Sequence, residues 1–235
     1  MTTISIIIIG DEILTGKFVD KNTPWLINRC NELFLDINTI RIIKDDITTI
    51  AKVVKEESID SDFVFTTGGV GPTHDDVTMK GVAKAFAMNI VQHPVLAKFI
   101  SDKLPGNEGA LLMANIPEGA KLIMENVKYF PQVVVNNVFI FPGIPKLMQK
   151  KFDNVAHLFQ GERKYLAKLT LQCRESEIAL QLTAIQNQYN TVNIGSYPQF
   201  SDGKSTVILT VESTSEDEMV RVRDKLLSSF KKYLV

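Results

Sequence analysis

Residues 66–78 read Thr-Thr-Gly-Gly-Val-Gly-Pro-Thr-His-Asp-Asp-Val-Thr, with Gly68, Gly69 and Gly71 immediately ahead of the paired carboxylates Asp75 and Asp76. Glycine lets the backbone turn sharply and lets a ligand approach the main chain closely. The N–H groups of such a loop, with a helix N-terminus behind it, suit phosphate-like anions. Carboxylates beside a phosphate repel it unless a cation lies between them. The run therefore points to a phosphate-bearing ligand and a metal ion. A plain turn followed by aspartates that cap the next helix is the simpler alternative. The spacing is neither a dinucleotide-binding Gly-x-Gly-x-x-Gly nor a Gly-x-x-x-x-Gly-Lys-Ser/Thr loop.

The elements around this loop repeat one pattern. Ile4–Ile9 is a continuous β-branched apolar run, as in strands buried on both faces, and it ends in Gly10-Asp11-Glu12. Asn22 or Thr23 is placed to cap a helix reaching about Phe34, with Pro24 in its first turn. Ile37–Ile43 is a second strand ending in Lys44-Asp45-Asp46. A helix from about Thr48 to Glu57 follows, then a third strand, Phe63–Thr67. Met79, Val82, Ala83 and Phe86 fit the apolar stripe of a helix. Alternating strands and helices predict a mostly parallel sheet covered on both faces, a three-layer α/β sandwich. In such sheets ligands sit outside the carboxyl ends of the strands. Glu12, Asp45, Asp46 and the glycine loop all follow strand ends, so they converge on one edge.

Beyond Asn89, His93-Pro94 opens a helix to about Lys103, and Pro105–Gly109 is a loop. Ala120–Met124, Gln132–Val135 and Val138–Phe141 read as strands, and a helix from Pro145 to about Phe152 closes a first domain, residues 1–155. Residues 153–162 read as a linker. Residues 163–235 form a small α+β unit: strand 164–172, helix 175–187, strands 191–197 and 204–211 joined at Asp202-Gly203, and helix 216–231, whose Met219, Val222, Leu226 and Phe230 share a stripe. It holds no metal or nucleophile constellation and reads as a packing or dimerisation module.

A net charge of −1 and a pI of about 6.3 give no basic field for nucleic acid. No apolar stretch reaches the roughly 18 residues of a membrane span, and the start lacks a signal-peptide layout. Cys30 and Cys173 each fall in an apolar pattern and read as reduced core thiols. A cytoplasmic protein is expected.

Gly68-Gly-Val-Gly-Pro-Thr-His-Asp-Asp-Val-Thr78 resembles the signature loop of molybdopterin-binding domains of the MoaB/MogA-like fold. Gly10-Asp-Glu-Ile-Leu-Thr-Gly16, Asp20-Lys-Asn-Thr23 and Phe141-Pro-Gly-Ile-Pro145 resemble motifs of the competence/damage-inducible (CinA) family. Arg174-Glu-Ser-Glu-Ile178 and Ile194-Gly-Ser-Tyr-Pro198 resemble its small second domain. The loop wording and Gly-Ser-Tyr-Pro are most similar to the molybdopterin-binding-like region of eukaryotic FAD synthases. The chain ends at Val235 without a segment resembling the deamidase or adenylyl-transferring domains of such proteins, so neither activity is expected of it.

The resemblance implies a divalent-cation-dependent pyrophosphatase acting on dinucleotide-like substrates such as FAD or ADP-ribose, with Mg²⁺, Mn²⁺ or Co²⁺. The alternatives are a pterin-binding module without hydrolase activity, or a scaffold for a partner that carries a missing domain. The resemblance makes Asp45 and Asp76 the leading functional carboxylates, with Asp75 and Glu12 joining them as metal ligands. Gly10, Asn22, Gly68, Gly69, Val70, Gly71, Thr73 and His74 form the expected phosphate- or nucleotide-binding set. Lys44 and Val70 depart from relatives, which carry Pro or Gly and Thr there. Asp45 or Asp46 as a cap of the following helix, Asp75 as a cap, Asn22 as a cap, His74 as a plain loop residue and Glu12 as a solvated one are the competing assignments. His93 and His157 read as structural or surface groups, and Trp25 as core. Relatives suggest a dimer or trimer.

Overall fold

The computed structural model describes residues 2–124, 130–201 and 203–235. The chain divides into two compact units, residues 1–161 and 162–235. The first opens with β1 (Thr3–Ile9), the short turn of helix α1 (Asp11–Leu14), α2 (Asn22–Glu32), β2 (Asp36–Ile43), α3 (Ile47–Asp60), β3 (Phe63–Thr67) and α4 (Thr78–Ala85). It continues with β4 (Ile90–Gln92), α5 (Pro94–Lys103), α6 (Glu108–Leu111), β5 (Asn115–Pro117), β6 (Lys121–Ile123), β7 (Gln132–Val135), β8 (Val138–Phe141) and α7 (Pro145–Val155).

The apolar run of β1 becomes an interior strand of a six-stranded sheet ordered β2-β1-β3-β8-β7-β6. Four neighbours, β2, β1, β3 and β8, run parallel, and β7 and β6 add an antiparallel edge. The strand alternation sends Ile4, Ile6 and Ile8 to one face, against α2 and α7, and Ile7 and Ile9 to the other, against α3 and α4. The first face is unusually aromatic. The fully buried Phe65 meets the rings of Phe139, Phe141, Phe152 and Phe159, with centroids between 4.8 and 6.1 Å. Trp25 packs edge-on against Phe152 at 5.5 Å, so it is part of this core.

One buried polar knot interrupts β1. Ser5 Oγ donates to Glu57 Oε2 at 2.5 Å, and Arg41 pairs with the other Glu57 oxygen at 2.7 Å. A carboxylate this deep needs both partners.

The three-layer α/β sandwich is the architecture read from the sequence, and most elements fall within a few residues of their expected ends. Four details differ. Residues 153–162 are not a linker: α7 continues to Val155 and Phe159 is buried in the aromatic cluster. Helix α2 stops at Glu32, where Phe34 turns into left-handed backbone at φ 57°. The loop at Pro105–Gly109 ends inside α6, capped by Asn107 Oδ1 accepting from the Ala110 N–H. The pair β4 and β5 was not anticipated; three residues are too few to show an alternation.

The second unit holds β9 (Tyr165–Leu171), α8 (Glu175–Gln186), β10 (Asn193–Ser201), β11 (Lys204–Ser213) and α9 (Glu216–Ser229). Its antiparallel sheet is ordered β10-β11-β9. Met219, Val222, Leu226 and Phe230 are buried together with Leu169, Leu171, Val207 and Leu209. Asp202 of the expected Asp-Gly turn lies outside the described residues, while Ser201 and Lys204 pair across it and Gly203 has φ 76°. Cys30 and Cys173 are both buried free thiols, and burial pushes the Cys30 thiol up to about 12.

Deleting the ring at the centre of the aromatic cluster tests this packing. Phe65→Ala is expected to cost about 3–5 kcal/mol of the first unit's stability, and Phe65→Leu distinctly less. Denaturant unfolding of the two variants measures the difference; equal costs would show that the ring contacts add little.

Candidate functional site

The strand order 2-1-3 reverses direction at β1, so the ends of β1 and β3 separate into a crevice of the kind that binds ligands in α/β sheets. The segments after β1, β3 and β8 meet there. Gly68 has φ 105°, and a Cβ on it would lie 2.0 Å from the carbonyl oxygen of Ile9. Only glycine lets the loop cross the end of β1. Gly68 N–H donates to Phe141 O at 3.3 Å, and Gly143 packs against Gly68 from the β8 side, where a Cβ would stand 3.3 Å from the Gly68 Cα.

Thr78, fully buried at the start of α4, pins the loop from beneath. Its Oγ1 donates to Gly68 O at 2.8 Å and its N–H to Gly69 O at 3.0 Å. With the two carbonyls held below, the N–H groups of Gly69, Val70 and Gly71 have no acceptor among the described residues. Three consecutive unpartnered amides at a loop–helix junction form an anion cradle.

A cavity of about 1100 Å³ opens on this cradle. Glu12, Asn22, Gly68, Gly69, Val70, Gly71 and Asp76 line it. Gly10, Asp45, Thr73, His74 and Asp75 do not. Gly10 spends its N–H on Ile43 O at 3.1 Å, which ties β1 to β2. The His74 side chain is 99% exposed, with Asp75 4.0 Å away, so nothing orients it as a base. Asp75 is exposed and does not cap α4, whose cap residue is Val77. The neighbouring Thr73 side chain holds the Asp75 carboxyl below its usual range, although the hydroxyl itself donates to Asp76.

The structure separates the two aspartates after β2. Asp46 caps α3: its Oδ1 accepts from the Thr49 N–H and hydroxyl, both at 2.8 Å. Asp45 instead turns back to β1 and accepts from the Asp11 N–H at 2.9 Å. Its Oδ1 lies 3.0 Å from where a Gly69 Cβ would stand, so it sits behind the cradle rather than in the cavity wall. Burial pushes the Asp45 carboxyl up, and the neighbouring charges of Glu12, Asp11 and Asp75 add to the rise against the Asp11 hydrogen bond.

Asp76 faces inward over the loop. Its Oδ2 accepts from the Thr73 N–H at 2.9 Å and from the Thr73 hydroxyl, and occupies the space a Gly71 side chain would need. Among the described residues no three His, Cys, Asp or Glu side chains are grouped to hold a metal ion by themselves. Glu12, Asp20 and Asp76 are the carboxylates of the cavity wall; Asp20 is engaged at the head of α2, and the other two suit a Mg²⁺-like ion that takes its remaining oxygens from water and ligand phosphates.

Asn22 does not cap α2. The carboxylate of Asp20 does so, accepting from the N–H groups of Asn22 and Thr23 at 2.8 and 3.1 Å. This leaves Asn22, 6% exposed, to clamp the crevice: its Nδ2 donates to Thr67 Oγ1 at 3.0 Å and to Gly143 O at 2.8 Å. Lys17 and Lys21 also line the cavity. Lys21 lies inside the Asp20–Thr23 motif, but the sequence gives neither lysine a role of its own. Thr78 was legible only as the last residue of the loop motif.

The family described as probable molybdopterin binding domain matches residues 5–161, and that described as FAD synthase, middle domain, matches residues 163–235. A protein of Archaeoglobus fulgidus is 30% identical over 194 residues, 83% of this chain and 85% of its own length. A probable FAD synthase of Caenorhabditis elegans is 33% identical over 94% of this chain, which spans 48% of that relative. Among solved structures, the CinA protein of Thermoplasma acidophilum, of unknown function, superposes with a TM-score of 0.62 at 27% identity, over 68% of this chain and 100% of its own. No helix among the described residues is long and apolar enough to cross a membrane.

The raised Asp45 carboxyl makes its ionised form a cost to the fold above the ordinary carboxylate range, fully developed at neutral pH and vanishing as pH falls through the raised value. Asp45→Asn keeps an acceptor for Asp11 and removes the charge. Its thermal midpoint at pH 7 is expected to exceed that of the parent protein, with the gain fading toward about pH 4. A midpoint lowered at pH 7 would show that the Asp45 charge stabilises the fold.

Proposed function

The chain belongs to the probable molybdopterin binding domain family, and from that premise we propose that its first unit is a divalent-cation-dependent hydrolase of phosphoanhydrides in dinucleotide-like substrates such as FAD or ADP-ribose. The observation that carries this reading is the set of free amides at Gly69, Val70 and Gly71, open to a cavity far larger than a lone phosphate needs. Relatives in which the same two regions occur include a protein named a probable FAD synthase, which supports a ligand of the flavin-nucleotide class.

In this reading the three amides bind one phosphate and fix the line of the P–O–P bond, with Lys17 and Lys21 offsetting ligand charge from the rim. Glu12 and Asp76 would hold the cation together with phosphate oxygens. When bound, such an ion neutralises the charge between the carboxylates and the phosphates and makes a coordinated water more acidic. Thr73 keeps one Asp76 oxygen engaged and so fixes the direction of the other. Asp45, behind Gly69, is a positioning group: it ties the start of α1 to the end of β2 and so sets where Glu12 begins. Water adds to one phosphorus, the bridging P–O bond breaks, and the products are AMP and a second phosphate, FMN from FAD or ribose 5-phosphate from ADP-ribose. The competing reading, a pterin-binding module without turnover, is favoured by the lack of a three-donor metal group among the described residues.

Chromatography of products separates the two. Release of AMP from FAD or ADP-ribose with Mg²⁺, Mn²⁺ or Co²⁺, abolished by chelator, is expected. Asp76→Ala should lower the rate about a hundredfold or more, given the several kcal/mol such an ion contributes. No release with any cation would leave the binding module, and full turnover by Asp76→Ala would remove Asp76 from the site.

A further inference from the structure

The cavity wall also carries apolar side chains that the phosphate chemistry leaves unused. Phe18 is 67% exposed, Val19 82%, Ile144 62% and Leu147 47%, and all four line the cavity that opens on the amide cradle. They come from two separate segments, the turn after α1 and the start of α7, so their convergence is a product of the fold. Phe18 has no ring or cation partner among the described residues, whereas Phe63, Phe65, Phe139, Phe141, Phe152 and Phe159 stack with one another. Its N–H donates to Glu12 O at 3.2 Å, which fixes the backbone that presents the ring. Contiguous exposed apolar surface of this kind marks a binding site. Lys17, Asp20 and Lys21 lie on the same segment as Phe18 and also line the cavity, so a ligand there meets an apolar face bordered by charges of both signs.

We propose that this lip is a ring-binding subsite: Phe18 stacks on a planar aromatic ring carried by the phosphate ligand, with Val19, Ile144 and Leu147 enclosing the ring edge. Ligands of the site are then phosphate esters of purine or flavin size, and inorganic pyrophosphate fills only the cradle. The inference rests on the functional reading above, in that it assumes the cradle takes the ligand's phosphate. It makes Phe18 a specificity residue, which selects among phosphate compounds without touching the bond that breaks.

Equilibrium binding by the full chain, measured with chelator and again with Ca²⁺ under conditions where chromatography shows no turnover, tests it. The probes are pyrophosphate, AMP, FMN, ADP-ribose and FAD. The parent protein is expected to hold the ring-bearing ligands more tightly than pyrophosphate. Phe18→Ala should weaken them about tenfold, the size of one lost base–aromatic stack, and leave pyrophosphate unchanged. Phe18→Trp should restore the affinity, and a loss confined to FMN or to AMP names the ring. Equal weakening of pyrophosphate, or no weakening of any ligand, overturns the subsite. So does a change in sedimentation of Phe18→Ala with ligand affinities unaltered, which would make the lip a contact between copies of the chain. A parent protein that binds pyrophosphate but no ring-bearing ligand any better overturns the subsite alone, while one that binds none of the probes overturns the cradle and the subsite together.

Discussion

The site depends on one steric constraint. The carbonyl oxygen of Ile9 stands where any side chain at residue 68 would begin. A loop leaving β3 can cross the end of β1 only if residue 68 is glycine in left-handed backbone, and that crossing closes the floor of the crevice. Once it is made, Thr78 fastens the carbonyls of Gly68 and Gly69 to the head of α4. A peptide whose C=O is held inward turns the following N–H outward. The outward amides of Gly69 and Val70 are therefore a consequence of the crossing and its pin, and the N–H of Gly71 continues the row without an acceptor among the described residues. Asn22 completes the enclosure by joining α2 to Thr67 and Gly143, so that segments following three strands share one set of hydrogen bonds.

Electrostatics sharpen what this geometry can bind. The cradle offers positive dipole ends, while Glu12, Asp11, Asp45 and Asp75 gather negative charge around it. Burial raises the Asp45 carboxyl, and the charges of Glu12, Asp11 and Asp75 add to the rise. A phosphate placed on the amides would feel both, and in the proposed reading a cation between Glu12, Asp76 and the phosphate would offset the repulsion. The apolar side chains of Phe18 and Ile144 add the third component of the proposal, in which anion, cation and ring would share a single opening.

Much of this is written plainly in the sequence. The β-branched run Ile4–Ile9 and the alternation of strands and helices specify the parallel sheet because strands buried on both faces have no polar alternation to hide them. The loop 66–78 is legible because glycine spacing encodes backbone freedom directly. The division of labour between neighbours is not. Asp45 and Asp46 are the same residue type after the same strand, and only the three-dimensional course of the backbone gives Asp46 to the α3 cap and Asp45 to Asp11. The capping of α2 passes to Asp20 for the same reason, since two residues upstream of Asn22 is within reach in space but off the usual capping position. Phe18, Val19 and Ile144 carry no pattern at all, because an exposed apolar residue means something only beside the others it meets. Phe159 was lost to the linker reading because a single buried ring after a helix end leaves no periodicity.

The central claim is that residues 69–71 form an anion cradle before any metal arrives. Amide chemical shifts of the full chain, followed by NMR during titration with inorganic pyrophosphate in the presence of chelator, test it most directly. The account predicts that the N–H resonances of Gly69, Val70 and Gly71 move together, saturably and further than those of the exposed Thr73–Asp75 segment. Saturable shifts centred elsewhere, with residues 69–71 unmoved, would contradict it.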